Sequence, residues 1–280
     1  MNTTIHTLKN IALNNKRKLS ATFGLVALEN MLFLLYPLVG SFAVNAVLNG
    51  QTFNALIYAL MVLLIWSVGS ARRAVDTRAF VKIYADLASK AIISEKQKGN
   101  TSSATAHAVM ARQFVAFFEE HLPILITALF NIIGSVIMLL TIEFYSGVIA
   151  LLILVIFTLI LPNYSRQNDK LYFKLNNRLE KEVNVIEQNK HHHLIKHYDV
   201  LSKIRIAISN REAFSYLMIG VAVAILFGAT LAILAQKQVQ AGHIYAVMTY
   251  LWGFAMSLDD MPELVEKFSE LKDIGQRVAI

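Results

Sequence analysis

Glu29 is the only acid within Thr22 to Leu48, a run that also lacks Lys and Arg. An acid about two helical turns inside such a run lies in hydrocarbon if the run crosses a membrane, and intramembrane carboxylates mark pairing or transport sites. Phe33, Tyr36 and Gly40 follow at i+4, i+7 and i+11, so one helical stripe carries an acid, two aromatics and a small residue. Two readings stand side by side. In the first, Glu29 lines a translocation cavity with Asn30, Phe33 and Tyr36, joined by Asn131, Tyr250 and Asp260 from other segments. Aromatic faces around one carboxylate then favour a cationic amphipathic substrate. In the second, Glu29 only hydrogen-bonds or pairs across helices, through Asn30 or Asn131.

Other charged residues fall at the ends of apolar runs. Asp259 and Asp260 close the last one, at the level where Arg72 and Arg73 close the second. An ion pair between these groups is expected, either as a fixed structural tie or as a gate latch that breaks on opening. Asp260 shares a face with Thr249, Gly253 and Met256, and Asp259 points about 100° away. His193 and His197 stand at i, i+4, with Glu187 four residues before His191. Imidazoles at that spacing suit zinc, but a solvated histidine run needs no metal and none is assigned. There is no H-E-x-x-H and no G-x-S-x-G. The absence of cysteine excludes disulfides and thiolate sites. No G-x-x-x-x-G-K-S/T occurs among the 12 glycines, so these residues form no phosphate cradle.

Six runs must position these groups: 22–48, 53–71, 122–142, 144–165, 213–236 and 238–258. Each is about 20 residues or longer, enough for a helix to cross roughly 30 Å of hydrocarbon. The gaps alternate in charge. Four basic residues precede the first run, eight lie from Arg72 to Arg112, ten from Arg166 to Arg211 and three follow the last; Lys237 alone falls in the other set of gaps. Lys and Arg near span ends stay on the cytoplasmic side. Six spans with both termini and both long loops inside a bacterial inner membrane are therefore expected. The apolar content of 56%, charged content of 16% and mean hydropathy of +0.51 exclude an ordinary soluble domain. The net charge of +7 calls for the lipid bilayer as its partner and no nucleic acid, because the excess base sits where anionic headgroups meet it.

The outer connections are minimal and the two inner ones run to about 50 residues. Apolar Val75, Phe80, Ile83, Leu87 and Ile92 recur at helical spacing, so the second run continues as a helix to Lys98 and stops at Gly99-Asn100. A returning helix leads into the third run. The second long loop repeats this plan, with a polar break at Asn189 to His191. The expectation is an all-α membrane protein in a single domain, six transmembrane helices with two long cytoplasmic hairpins.

This arrangement resembles the transmembrane domain of an ABC exporter. The segment from Gln236 to Val278 is similar to that family's ending; Gly242 and Tyr250 match, and His243 replaces an acid. Around the second hairpin tip, Glu187, Ile195, Lys196 and Tyr198 match in kind, with His191 where glycine is usual. In the first hairpin, residues 101–112 depart from the family's G-D/E-x-x-S-R-x-x-x-D. The resemblance implies a domain-crossed homodimer, or pairing with a homologous half-transporter, and ATP with magnesium held by a separate ATP-binding subunit. It also implies that Lys98, Asn100, Glu187, His191, His193, Lys196 and Tyr198 take part in coupling or partner docking. The chain ends where the family's nucleotide-binding domain would begin. Proton-coupled export without an ATPase, using Glu29 or Asp260 as carrier, and a non-transport role are the alternatives.

Overall fold

The computed structural model describes residues 16–97, 119, 122–180, 182–187 and 191–278. Among them there is no strand. The helices are α1 (Lys16–Leu48), α2 (Thr52–Gln97), α3 (Leu122–Ile142), α4 (Phe144–Glu180), α5 (Glu182–Glu187), α6 (His191–Ala235) and α7 (Ala241–Val278). Uninterrupted apolar sequence explains their length. The prolines are tolerated inside such helices: Pro37, Pro162 and Pro262 are internal, and Pro123 is the second residue of α3, where a missing N–H costs nothing.

The turns are tight. After α1 the chain reverses through Gly50, whose φ of 67° is the left-handed conformation that glycine adopts freely. Gly50 donates its N–H to Val47 O (3.1 Å) and Gln51 to Ala46 O (2.8 Å), which together satisfy the last carbonyls of the helix as a Schellman motif. Between α3 and α4 only Glu143 intervenes; its N–H bonds back to Leu139 O and its carbonyl accepts from Gly147.

α7 sits at the centre of the bundle, against α1, α3, α4 and α6. Its Val247, Leu251 and Phe254 are fully buried, and Leu258 nearly so, at three- to four-residue spacing. They meet Ile132, Val136 and Leu139 of α3, Ala150 and Ile153 of α4, and Ile219, Leu226 and Leu234 of α6 in one core. In contrast, α2 packs along α1 and, among the described residues, reaches α7 only through the Tyr58 hydroxyl, 3.2 Å from that of Tyr245. Its Leu60, Leu63 and Trp66 are exposed, as residues facing lipid or another chain would be.

Five of the described helices are long and apolar enough to cross a membrane: Lys16–Leu48, Thr52–Asp86, Leu122–Ile142, Phe144–Leu179 and His191–Ala235. Six runs were expected, and α7 is the one that falls outside this set. The reason lies in its position. Protein surrounds it on several sides, so its own face toward lipid is small, and Gly242, His243, Thr249 and Gly253 dilute its apolar content.

Along the polar continuation of the fourth run, α4 is described to Glu180 and α5 from Glu182, with Lys181 between them outside the described residues. The hydroxyl of Tyr198 on α6 donates to Glu182 Oε1 on α5 at 2.6 Å. Arg211 of α6 donates to Gln167 Oε1 (2.7 Å) and to Tyr164 O (2.9 Å) on α4. The second pair of arms is thus laced together well beyond the apolar segments. The returning arm of the first hairpin lies outside the described residues.

Candidate functional site

Antiparallel packing of α1 and α2 places Glu29 beside the inner end of the second apolar run. Arg72 Nε pairs there with Glu29 Oε2, and Arg72 Nη1 lies 3.5 Å from Asp76 Oδ2. The site is largely closed, with the Glu29 side chain 14% exposed and that of Arg72 22% exposed. Gly69 makes room for it, since a methyl group there would stand 2.7 Å from Glu29 Oε1. Two carboxylates on one guanidinium leave the trio one formal negative charge.

The expected ion pair of Arg72 or Arg73 with Asp259 or Asp260 is not seen among the described residues, where Arg72 pairs with Glu29 and Asp76. The chain runs of α2 and α7 end in charge at these residues, but along its length α2 lies on α1. Arg73 and Asp260 are exposed, and Asp259 is half-buried beside a different set of helices. Glu29 is also not an open carboxylate waiting for a cation, because Arg72 already occupies it.

The remaining residues of the expected cavity divide. Asn30 is buried and donates to Val26 O (2.8 Å) and to Thr127 Oγ1 (3.1 Å), tying α1 to α3. The ring centroid of Tyr36 lies 5.0 Å from that of Tyr58, whose hydroxyl is 3.2 Å from that of Tyr245. This cluster joins α1, α2 and α7. Gly40 is buried directly against the Tyr245 ring, the close approach that its lack of a side chain permits. The hydroxyl of Tyr250 donates to Leu34 O at 2.6 Å, linking α7 to α1. Phe33 is exposed and joins none of these, and Asn131 is half-buried on α3.

At the opposite end of the bundle is a cluster that the sequence reading missed. Glu143, between α3 and α4, is buried; its Oε1 accepts from Lys237 Nζ at 2.5 Å and its Oε2 lies 3.3 Å from His243 Nε2. Burial pushes the carboxyl up, but the hydrogen bonds from Lys237 and His243 outweigh it and hold the group below the usual carboxylate range. The available signal was that Lys237 is the single base outside the basic gaps and Glu143 is the single residue joining two apolar runs. Beside this cluster Asn45 of α1 donates to Gln240 Oε1 (2.8 Å) and accepts from the Gly242 N–H (2.9 Å).

A cavity of about 630 Å³ opens between α4, α6 and α7, with Tyr164, Asn168, Glu212, Tyr216 and Asp259 in its walls. Of these the sequence reading singled out only Asp259, and for another role.

The expected docking residues are spread along the second hairpin. Lys98 and Asn100 lie outside the described residues. Glu187 closes α5, and His191 opens α6. His191, His193 and Lys196 are exposed, while Tyr198 is held by Glu182. His197 is 2% exposed, with neither ring nitrogen hydrogen-bonded, so it and His193 do not present two imidazoles to solvent together. Among the described residues no three His, Asp or Glu side chains gather to hold a metal ion.

No curated protein matches the chain. Residues 8–242 match the ABC transporter transmembrane region. Most of the sequence is covered, and the observed helices agree with it: the chain belongs to the ABC transporter transmembrane region family.

Proposed function

We propose that the chain is the membrane component of an ABC-type exporter that moves a small molecule or peptide by alternating access. Its family makes it a transporter membrane component, and its apolar helices make it a multi-pass membrane protein. The observation that carries the finer reading is the length of α2 and α6. Their 46 and 45 residues span about 68 Å each at the helical rise, more than twice the hydrocarbon thickness. Helices of that length extend far from the bilayer, where a separate ATP-binding subunit can push on them. These 280 residues hold no phosphate cradle, so ATP and magnesium must be bound by residues outside them.

The working unit is a homodimer or a pair with a homologous half-transporter. The exposed Leu60, Leu63 and Trp66 of α2 support this, since a partner copy would cover that side of the helix. Closure of paired ATPases would drive the hairpins together and turn the cavity outward. Both ends of the chain and both hairpins face the cytoplasm of a bacterial inner membrane, in keeping with the basic residues concentrated there.

Purification from the native membrane tests the reading through what accompanies the chain. A stoichiometric ATPase, with transport in proteoliposomes that requires ATP, is the expected result. The trio of Glu29, Arg72 and Asp76 favours a second reading, because it sets two carboxylates and a counter-ion between the first two apolar helices, where such groups mark ion pathways. Transport by an isolated dimer that ignores ATP and follows a proton gradient would replace the first reading with proton-coupled export.

A further inference from the structure

The inner end of the bundle is charged unevenly from one side to the other. Residues 16–29 and 72–86, where α1 and α2 leave their apolar runs, hold seven bases and three acids, a formal +4. The corresponding parts of α4, α6 and α7, residues 164–174, 205–213 and 257–263, hold five bases and five acids and balance. On the first side Arg72 is taken by Glu29 and Asp76. The other six bases, Lys16, Arg17, Lys18, Arg73, Arg78 and Lys82, are exposed, and none has an ion pair among the described residues.

These bases form a collar around the two helices. Counted inward from the pair of Glu29 and Arg72, Lys18 lies eleven residues along α1 and Lys82 ten along α2, so both fall about 15 Å further in. Arg73 and Arg78 fill the interval on α2. Arg17 also opens a lengthwise track: Ala21, Gly24, Leu28, Met31 and Leu35 follow it on one face of α1, and all are exposed. A methyl group placed on Gly24 would meet nothing within 4 Å. Positive charge at one end and open apolar surface along the rest match a molecule with an anionic head and an apolar tail. An acidic protein would use the collar and leave the track bare.

We propose that the α1 and α2 side of the bundle binds anionic phospholipid of the inner leaflet, its phosphate against the collar and a chain along the track above Arg17. Juxtamembrane Lys and Arg attract anionic headgroups, and their long stems bring charges from different depths to one layer of phosphates. The balanced side formed by α4, α6 and α7 has no such preference. The inference concerns the lipid neighbours of the chain and goes beyond the transport reading, since it holds whether or not an ATPase drives the helices.

The two tryptophans report on the two sides. Trp66 of α2 stands six residues, about 9 Å, before Arg72, and Trp252 of α7 stands seven residues, about 11 Å, before Asp259; both are exposed. Single-tryptophan forms of the full chain, Trp252→Phe and Trp66→Phe, go into phosphatidylcholine nanodiscs with a minor fraction of phosphatidylglycerol. Bromine on the chains of one lipid or the other quenches the fluorescence and gives the local composition. Phosphatidylglycerol should be enriched at Trp66 roughly threefold or more over its bulk fraction, and should match the bulk at Trp252. Arg73→Gln/Arg78→Gln/Lys82→Gln should return Trp66 to the bulk value, and Arg166→Gln/Lys170→Gln/Lys174→Gln should leave the enrichment intact. No enrichment at Trp66 with all bases present overturns the proposal, so a charge variant that fails to fold does not shelter it. Equal enrichment at both tryptophans, or equal loss in both triple variants, overturns it as well. Inorganic phosphate or polyglutamate at constant ionic strength should change nothing; loss of the enrichment to either would make the collar a site for free phosphate or for an acidic protein instead. The exporter reading is judged separately, by whether an ATPase co-purifies.

Discussion

Replacing Lys237 by Met should expose how much the Glu143 cluster holds the two short connections together. In the native protein the Glu143 side chain is 2% exposed and that of Lys237 is 45% exposed. The lysine half of the pair is screened by solvent, which limits its Coulombic share. The carboxylate half is not, and without Lys237 it retains only His243 at 3.3 Å. Stranding a buried carboxylate costs about 3–5 kcal/mol when its partner is removed, and the exposure of Lys237 lowers this to roughly 2 kcal/mol. Glu143→Gln should cost about 1 kcal/mol, since the amide keeps the shape and can still accept from Lys237. The double variant should be no worse than Lys237→Met, which gives a coupling of about 1 kcal/mol in a double-mutant cycle. Equilibrium unfolding in mixed micelles measures each arm.

The pH dependence supplies an independent check. The folded Glu143 carboxyl is held below its unfolded value, so its contribution is present above the unfolded value of 4.5 and is lost as pH falls through the lower folded value. The unaltered protein should lose stability on acidification across that window, and Glu143→Gln should lose less. Strictly additive single variants, or equal acid sensitivity of the two proteins, would refute the reasoning.

Arg72→Met should be more damaging than Glu29→Gln, by roughly 2 kcal/mol, because it leaves Glu29 and Asp76 facing each other without a cation; equal melting temperatures would remove the argument. Gly69→Ala should destabilise by about 1–3 kcal/mol, as its methyl would crowd Glu29 Oε1 at 2.7 Å, and pairing it with Glu29→Ala should relieve that cost in unfolding measurements. Tyr250→Phe should cost about 1 kcal/mol through loss of the bond to Leu34 O, with helicity unchanged by circular dichroism.

How much of this could be read from sequence depends on whether the information was local. The helices and the reversal after α1 were legible, because apolar run length and the Asn49-Gly50 pair act through nearest neighbours. The partner of Arg72 was not. Depth in a membrane says which residues share a level, and only lateral packing says which helices touch, so Asp259 and Glu29 were indistinguishable as partners until α2 was seen against α1. The cavity at Asn168 and Glu212 was hidden for the same reason, its walls coming from three helices and residues as far apart as Tyr164 and Pro262. Tyr36 was expected in a cavity, and its contacts to Tyr58, itself against Tyr245, come from two other helices that no spacing within α1 announces.

The attachment of α2 gives it the mechanics of a lever. It is held near one point by the Tyr58–Tyr245 hydroxyl contact and near another by Arg72, with α1 alongside over its shorter length. Fourteen residues separate those points, about 21 Å, and the helix runs another 38 Å or so to Gln97. With the tyrosines as fulcrum, a sideways displacement of roughly 6 Å at the far end would move Arg72 by roughly 2 Å, by proportion along a rigid rod. That is enough to part a guanidinium from a carboxylate. The arm length of α2 would therefore convert a movement at its far end into the breaking of one ion pair against α1.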